Sequence, residues 1–229
     1  MTAAEAFFEP GFAEGGAQLH LRGGEVWELP VPRWSADAGP GDLRLLARCS
    51  GTTLDVGCGP GRMAAALSAR GVPALGVDVS PSAVAMARSR GATALNRDIF
   101  SLGGGRRWQH VLLVDGNVGI GGDPVRLLWR CRDLLLPGGT VLVDVTPPGQ
   151  GLRVTTARLV GQAGASGWFA WAVLGHDALA VVAAAAGLRV ADAWLVEDEQ
   201  RWQAELVLAS SWPAPGAGPA AGAGVEVAA

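Results

Sequence analysis

The stretch that most constrains the fold is residues 52–62, TTLDVGCGPGR. Thr53, Leu54 and Val56 suit a short buried strand, and the glycines at 57, 59 and 61 suit a tight turn that lets a ligand approach the backbone. A helix is expected from about Arg62, its free N–H groups pointing back into the turn. Asp55, just before the first glycine, places a carboxylate at the strand's carboxyl end, which suits a ligand carrying positive charge. The NAD fingerprint needs G-x-G-x-x-G, but Arg62 stands where the third glycine belongs. Walker A is excluded because the chain contains no lysine.

Downstream, strand and helix signals alternate. A helix over 63–69 stops at Gly71, and a strand over 74–77 ends at Asp78. Ser80-Pro81 opens a helix to Arg90, and a third strand covers 92–95. A fourth strand, 110–114, ends at Asp115; Asp123-Pro124 opens a helix to about Leu135; Pro137-Gly138-Gly139 ends it before a fifth strand at 140–145. Upstream, Asp42 reads as the N-cap of a helix over 43–49, and 17–29 as a short hairpin around Gly23-Gly24. The β-favouring runs 152–160 and 168–174 predict an antiparallel hairpin inserted after strand five. A helix over 177–186 and a closing hairpin, 188–196 with 202–209, complete the pattern.

This rhythm implies right-handed crossovers and one doubly wound α/β domain with a mainly parallel seven-stranded sheet, its ligand at the carboxyl ends of the strands. The expected organisation is a cap segment over 1–41, a domain over 42–209 with its insertion at about 146–175, and a disordered Ala/Gly/Pro tail over 210–229. At 229 residues and 49% hydrophobic content, the chain can bury one substantial core. A net charge of −3 argues against a nucleic-acid partner. Acidic and basic residues break the apolar stretches before membrane-spanning length, and no basic leader opens the chain, so a soluble protein without a membrane partner is expected. Cys49, Cys58 and Cys131 lack C-x-x-C spacing, which predicts reduced thiols and a cytoplasmic location. His20, His110 and His176 show no metal-ligand spacing, so no metal is expected; His110 reads as structural.

The D-V-G-C-G-P-G-R string at 55–62 resembles motif I of the class I S-adenosylmethionine-dependent methyltransferases. The resemblance implies a class I methyltransferase-like fold, S-adenosylmethionine as cofactor and a small-molecule substrate. It assigns cofactor binding to Asp55, Gly57, Cys58, Gly59 and Gly61, to Asp78 with Val79, to Asp98 with Ile99, and to Asp115. Asp78 would accept both ribose hydroxyls, and Asp98 the adenine amino group with Ile99 packing on the ring. Asp115 and Asn117, in DGNVGIGGDP, occupy the position of motif IV, near the transferred methyl, and are the candidate catalytic residues. The Asn/Asp-Pro-Pro-aromatic signature of adenine and glutamine amino-methylating enzymes is absent. The loop, with GVDVSP and WFAWA, also resembles an actinobacterial group known only as class I methyltransferases. Trp168, Phe169 and Trp171, with Asn117, are candidates for a substrate pocket, and His176 beside the insertion is a candidate acid/base. Two rival readings stand beside this one: a cofactor-binding regulatory protein without activity, and a binder of phosphorylated ligands in which residues 116–124 cradle an anion at a helix N-terminus.

Overall fold

The computed structural model of the protein describes residues 16–105, 107–162, 164–196 and 201–209. The predicted tail and residues 1–15 of the predicted cap segment lie outside them. The chain opens with a hairpin, β1 (Ala17–Leu21) and β2 (Val26–Leu29), followed by α1 (Val31–Ser35) and α2 (Pro40–Leu46). Then come β3 (Thr53–Val56), α3 (Arg62–Ala69), β4 (Ala74–Asp78), α4 (Pro81–Ser89), β5 (Ala94–Asn96), β6 (Trp108–Leu113), α5 (Pro124–Leu134) and β7 (Leu135–Val145). After these follow β8 (Leu152–Gly161), β9 (Gly164–Ala165), β10 (Phe169–Leu174), α6 (His176–Ala185), β11 (Leu188–Val196) and β12 (Arg201–Leu208).

The main sheet has seven strands in the order β11-β12-β7-β6-β3-β4-β5. Strands β3 to β7 pair in parallel, while β12 runs antiparallel to both neighbours. Both faces are covered, as alternation along the central strands shows. Val111, Leu113, Val141 and Val143 enter a core shared with α5 and α6, whereas Leu112 and Leu142 meet Leu45, Leu46, Met63 and Leu67 from α2 and α3. A second, antiparallel sheet lies beside it in the order β10-β8-β1-β2, with β9 on β8. Strand β8 therefore pairs on one side with β10 and on the other with β1, so the segment after β7 and the N-terminal hairpin share one sheet.

Strands β5 and β6 begin about two residues from their expected starts, and three further boundaries differ for local reasons. The helix before β3 begins at Pro40 because proline's fixed φ starts it early; Gly39 is the N-cap, and Asp42 sits in the first turn, accepting the Gly39 N–H at 3.1 Å. Pro137-Gly138-Gly139 does not end the ladder. Leu135 pairs with Trp108 and Thr140 with His110, so the intervening residues bulge out of a strand that starts at Leu135. His176 is the first residue of α6 rather than part of the loop before it. Where Ser80-Pro81 and Asp123-Pro124 precede helices, each cap side chain accepts an N–H from the first turn, of Ala83 and Arg126 respectively. Among the described residues no helix is long and apolar enough to cross a membrane.

Candidate functional site

A cavity of about 480 Å³ opens at the carboxyl ends of β3, β4, β5 and β6, between the main sheet and the antiparallel sheet. The turn after β3 forms its floor. Gly57 and Cys58 donate their N–H groups to the Val77 carbonyl, at 2.8 and 3.1 Å, which folds the turn back on β4. Gly57, Cys58 and Gly59 line the cavity, but Gly61 does not. Its φ is +86°, and a Cβ there would lie 2.8 Å from Ala87 Cα, so this glycine lets α3 start against α4 rather than meeting a ligand. The Cys58 thiol is driven upward by burial and by the nearby Asp55 and Asp78, so it is a protonated wall group and not a nucleophile.

All four strand-end aspartates reach this cavity. Asp55 is fully buried, and no side chain hydrogen-bonds either carboxylate oxygen; the Ala64 backbone N–H, in the first turn of α3, is the donor that faces it. Burial raises its carboxyl to about 7, with Arg62 opposing and Asp115 adding to the rise. Asp78 accepts the Gly59 N–H through Oδ2 and the Ser80 N–H through Oδ1, both at 2.9 Å. Burial lifts its carboxyl above the ordinary range against these backbone donors. Asp98 caps the short turn Ile99–Ser101 by accepting the Phe100 N–H at 2.9 Å, and Val79 and Ile99 line the wall beside it.

Asp115 has a left-handed backbone, φ +56°, and is the one non-glycine residue with positive φ among the described residues. Its backbone N–H donates to Asp144 Oδ2 at 3.0 Å. One carboxylate oxygen accepts from Arg33 at 3.0 Å and the other from Arg62. Asn117, proposed near the reacting methyl, instead donates Nδ2 to the carbonyls of Val56 and Gly57, both at 2.9 Å. Its amide thus ties the loop after β6 to the glycine turn.

These contacts belong to a network of three arginines and three aspartates that sequence patterns do not reveal. Asp42, buried, accepts from Arg33, Arg62 and Arg201, and Arg201 also donates to Asp144. Burial alone would raise the Asp42 carboxyl, but Arg62, Arg33 and the Gly39 N–H hold it below its ordinary value. Asp144 moves the other way, raised by burial despite Arg201. The only sequence hint was Arg62 itself, a charge placed directly after a glycine turn at the mouth of a buried helix.

The antiparallel sheet closes the other side. Leu19, Leu29, Phe169 and Trp171 belong to one apolar cluster on its inner face and also line the cavity. Phe169 and Trp171 meet edge to face, with centroids 6.1 Å apart. Trp168 points elsewhere. It stands just before β10, is 42% exposed and lies under the guanidinium groups of Arg22 and Arg158. His176 is also outside the cavity lining, stacked on Trp202 at 4.1 Å. His110 is buried, with Nε2 accepting the Ser50 N–H at 3.2 Å and Nδ1 at 2.9 Å from Thr140 Oγ1, a structural role.

The glycines of the loop at 116–124 serve packing. A Cβ on Gly119 would lie 2.1 Å from the Ala172 carbonyl oxygen, and Ile120 bridges to Trp171, so β10 occupies the face a phosphate would need. Asp123 places its own carboxylate at the N-terminus of α5, a poor neighbour for an anion. The phosphate-cradle reading loses its geometric basis on both counts.

Residues 53–139 match a family profile described as a methyltransferase domain. A search of curated protein sequences gives no match. Among solved structures, the chain is similar to an S-adenosylmethionine-dependent methyltransferase from Bacteroides fragilis in complex with S-adenosyl-L-homocysteine, with a TM-score of 0.74 and 22% identity over 90% of this chain and 93% of that one. It is also similar to the 1,6-didemethyltoxoflavin-N1-methyltransferase of Burkholderia thailandensis, TM-score 0.58 and 20% identity over 79% of this chain and 81% of that one. The CcbJ methyltransferase of Streptomyces caelestis gives 0.59 and 19% identity over 76% and 93%. At these identities the likeness establishes the methyltransferase-like α/β fold.

Proposed function

We propose that the protein is an S-adenosylmethionine-dependent methyltransferase acting on a small molecule. The observation that carries this reading is Asp55: a fully buried carboxylate that no side chain hydrogen-bonds, met only by the Ala64 backbone N–H, on the wall of the cavity beside a glycine turn. A buried carboxylate in that condition is costly unless a cation meets it, and the ammonium of the cofactor's methionine part is such a cation. The rest of the cavity fits the same ligand. Asp78 has lone pairs left to accept ribose hydroxyls after its two backbone bonds, and Val79, Asp98 and Ile99 form the wall assigned to the adenine.

When bound, the cofactor supplies a methyl group on sulfonium, already activated for displacement. The protein's own residues then align and exclude water. The glycine turn gives close backbone approach, Asn117 locks that turn to the motif IV loop, and the inner face of the antiparallel sheet covers the remaining opening. Asp115 acts by position, since both its oxygens are engaged by guanidinium groups. In domain terms, 16–41 and the segment at 146–175 together form the lid of a methyltransferase domain over 42–209. Three buried free thiols fit a cytoplasmic setting.

The test is release of S-adenosylhomocysteine from S-adenosylmethionine across a panel of small acceptors, followed by mass spectrometry. Acceptor-dependent release with a mass gain of one methyl supports the enzyme. Tight cofactor binding with no turnover on any acceptor would favour a regulatory binder.

A further inference from the structure

The half of the cavity beyond the strand ends carries a second message, about the acceptor. Its wall is formed by Leu19, Leu29 and Trp34 from the N-terminal segment, Ile120 from the motif IV loop, and Phe169 and Trp171 from β10. No side chain of that wall is ionisable. Asp115, on the same cavity, is engaged by Arg33 and Arg62; Arg97, Asp98 and Arg126, also charged and in the lining, are not among these six, and Arg126 lies over the Phe100 ring at 4.3 Å. Asn117 donates both its N–H bonds to backbone carbonyls. A charged acceptor seated against these six side chains would lose hydration and gain no ionic partner from them, which is unfavourable by several kcal/mol in order of magnitude.

We propose, resting on the cofactor reading above, that the acceptor is an uncharged, planar aromatic molecule whose nucleophile is a nitrogen unprotonated at neutral pH. Phe169 and Trp171, edge to face, offer a rigid aromatic corner at low entropic cost. No carboxylate or imidazole on this wall is free to remove a proton before attack, so an alkylammonium or an aliphatic alcohol is poorly served. A ring or aryl nitrogen already carries its lone pair. That pair forms the new bond to the methyl carbon, the carbon–sulfur bond breaks with its electrons going to sulfur, and any proton on the methylated nitrogen leaves to water. Phe169 and Trp171 are then specificity-determining residues.

Calorimetry on the S-adenosylhomocysteine complex tests this without turnover. The probes are quinoline and 1-aminonaphthalene, uncharged at pH 7.5, against cyclohexylamine as a cation and 1-naphthoate as a planar anion. The neutral aromatics should bind at least tenfold more tightly than either charged probe. Phe169→Leu and Trp171→Leu should each weaken them about tenfold while changing S-adenosylhomocysteine affinity less than twofold; Phe169→Leu serves if the tryptophan variant fails to fold. Equal or tighter binding of a charged probe, or no effect of either variant, overturns the proposal while leaving the cofactor reading intact. Failure of S-adenosylhomocysteine to bind in the first titration overturns the cofactor reading and this inference with it.

Discussion

Replacing Asp42 with Asn should be among the most damaging conservative changes in the protein. Asp42 lies at the centre of the arginine–aspartate network, and its side chain and that of Arg62 are only 2% and 3% exposed. Solvent screening therefore gives little relief, and removing one partner of such a pair typically costs about 3–5 kcal/mol because the other charge is left buried. Arg33 and Arg201 are more exposed, at 25% and 14%, and their lost pairs add less. For a chain of this size, roughly 2–4 °C of melting temperature accompany each kcal/mol, so the loss corresponds to roughly 6–20 °C. Urea unfolding at unchanged m-value gives the free energy, and a cycle with Arg62→Met isolates the pair. The folded pKa of Asp42 is depressed, so its contribution is present above the unfolded value of about 3.9 and disappears as pH falls through the folded one. The difference between wild type and variant should accordingly close in acid. A loss below about 1 kcal/mol at pH 7, or a coupling with Arg62 near zero, would refute the reasoning by showing the network to be as weak as a surface pair.

Asp55 behaves in the opposite sense: its folded pKa of about 7 lies above the unfolded value of about 3.9, so ligand-free protein should gain stability as pH falls from 8 to 5, and Asp55→Asn should weaken that trend in thermal melts, leaving the part that the raised Asp78 and Asp144 carboxyls contribute. Asp78→Ala should weaken S-adenosylmethionine binding by roughly 2–4 kcal/mol, through lost charge-assisted bonds, with calorimetry as the measure and unchanged affinity as the adverse result. Gly119→Ala should destabilise by roughly 1–3 kcal/mol and speed proteolysis of the 152–174 segment, because its Cβ would collide with the Ala172 carbonyl. Once an acceptor is known, Asp115→Asn should reduce the methyl-transfer rate by about tenfold or less; a loss of about 10²-fold with disappearance of the acidic limb of the pH profile would make Asp115 a base after all.

Local chemistry in the sequence carried much of the fold. Ser80-Pro81 and Asp123-Pro124 mark helix starts because a cap oxygen and a proline at N1 act within four residues, and both are seen doing so. The recurrence of aspartate after successive strands placed Asp55, Asp78, Asp98 and Asp115 around one cavity. What stayed hidden was set by contacts between distant segments. Arg201 meets Asp42 across 159 positions, and neither residue carries a local signal of the other. Gly119 and its neighbours read as ligand-approach glycines, because a sequence cannot say whether backbone or ligand will fill the space. Trp168 reads with Phe169 and Trp171 as one aromatic run, but it stands before the first residue of β10 and meets Arg22 and Arg158 instead.

The most direct test is titration of the purified protein with S-adenosylhomocysteine at pH 6, 7 and 8, with NAD as the control and Asp55→Asn alongside. A cationic ammonium facing Asp55 predicts one site per chain and affinity that rises with pH until the carboxylate is ionised near 7, then levels. Asp55→Asn should bind more weakly and with a smaller pH dependence, and NAD should give no binding heat. NAD binding as tight as that of S-adenosylhomocysteine, or S-adenosylhomocysteine affinity indifferent to both pH and Asp55, would contradict the assignment of this cavity to S-adenosylmethionine.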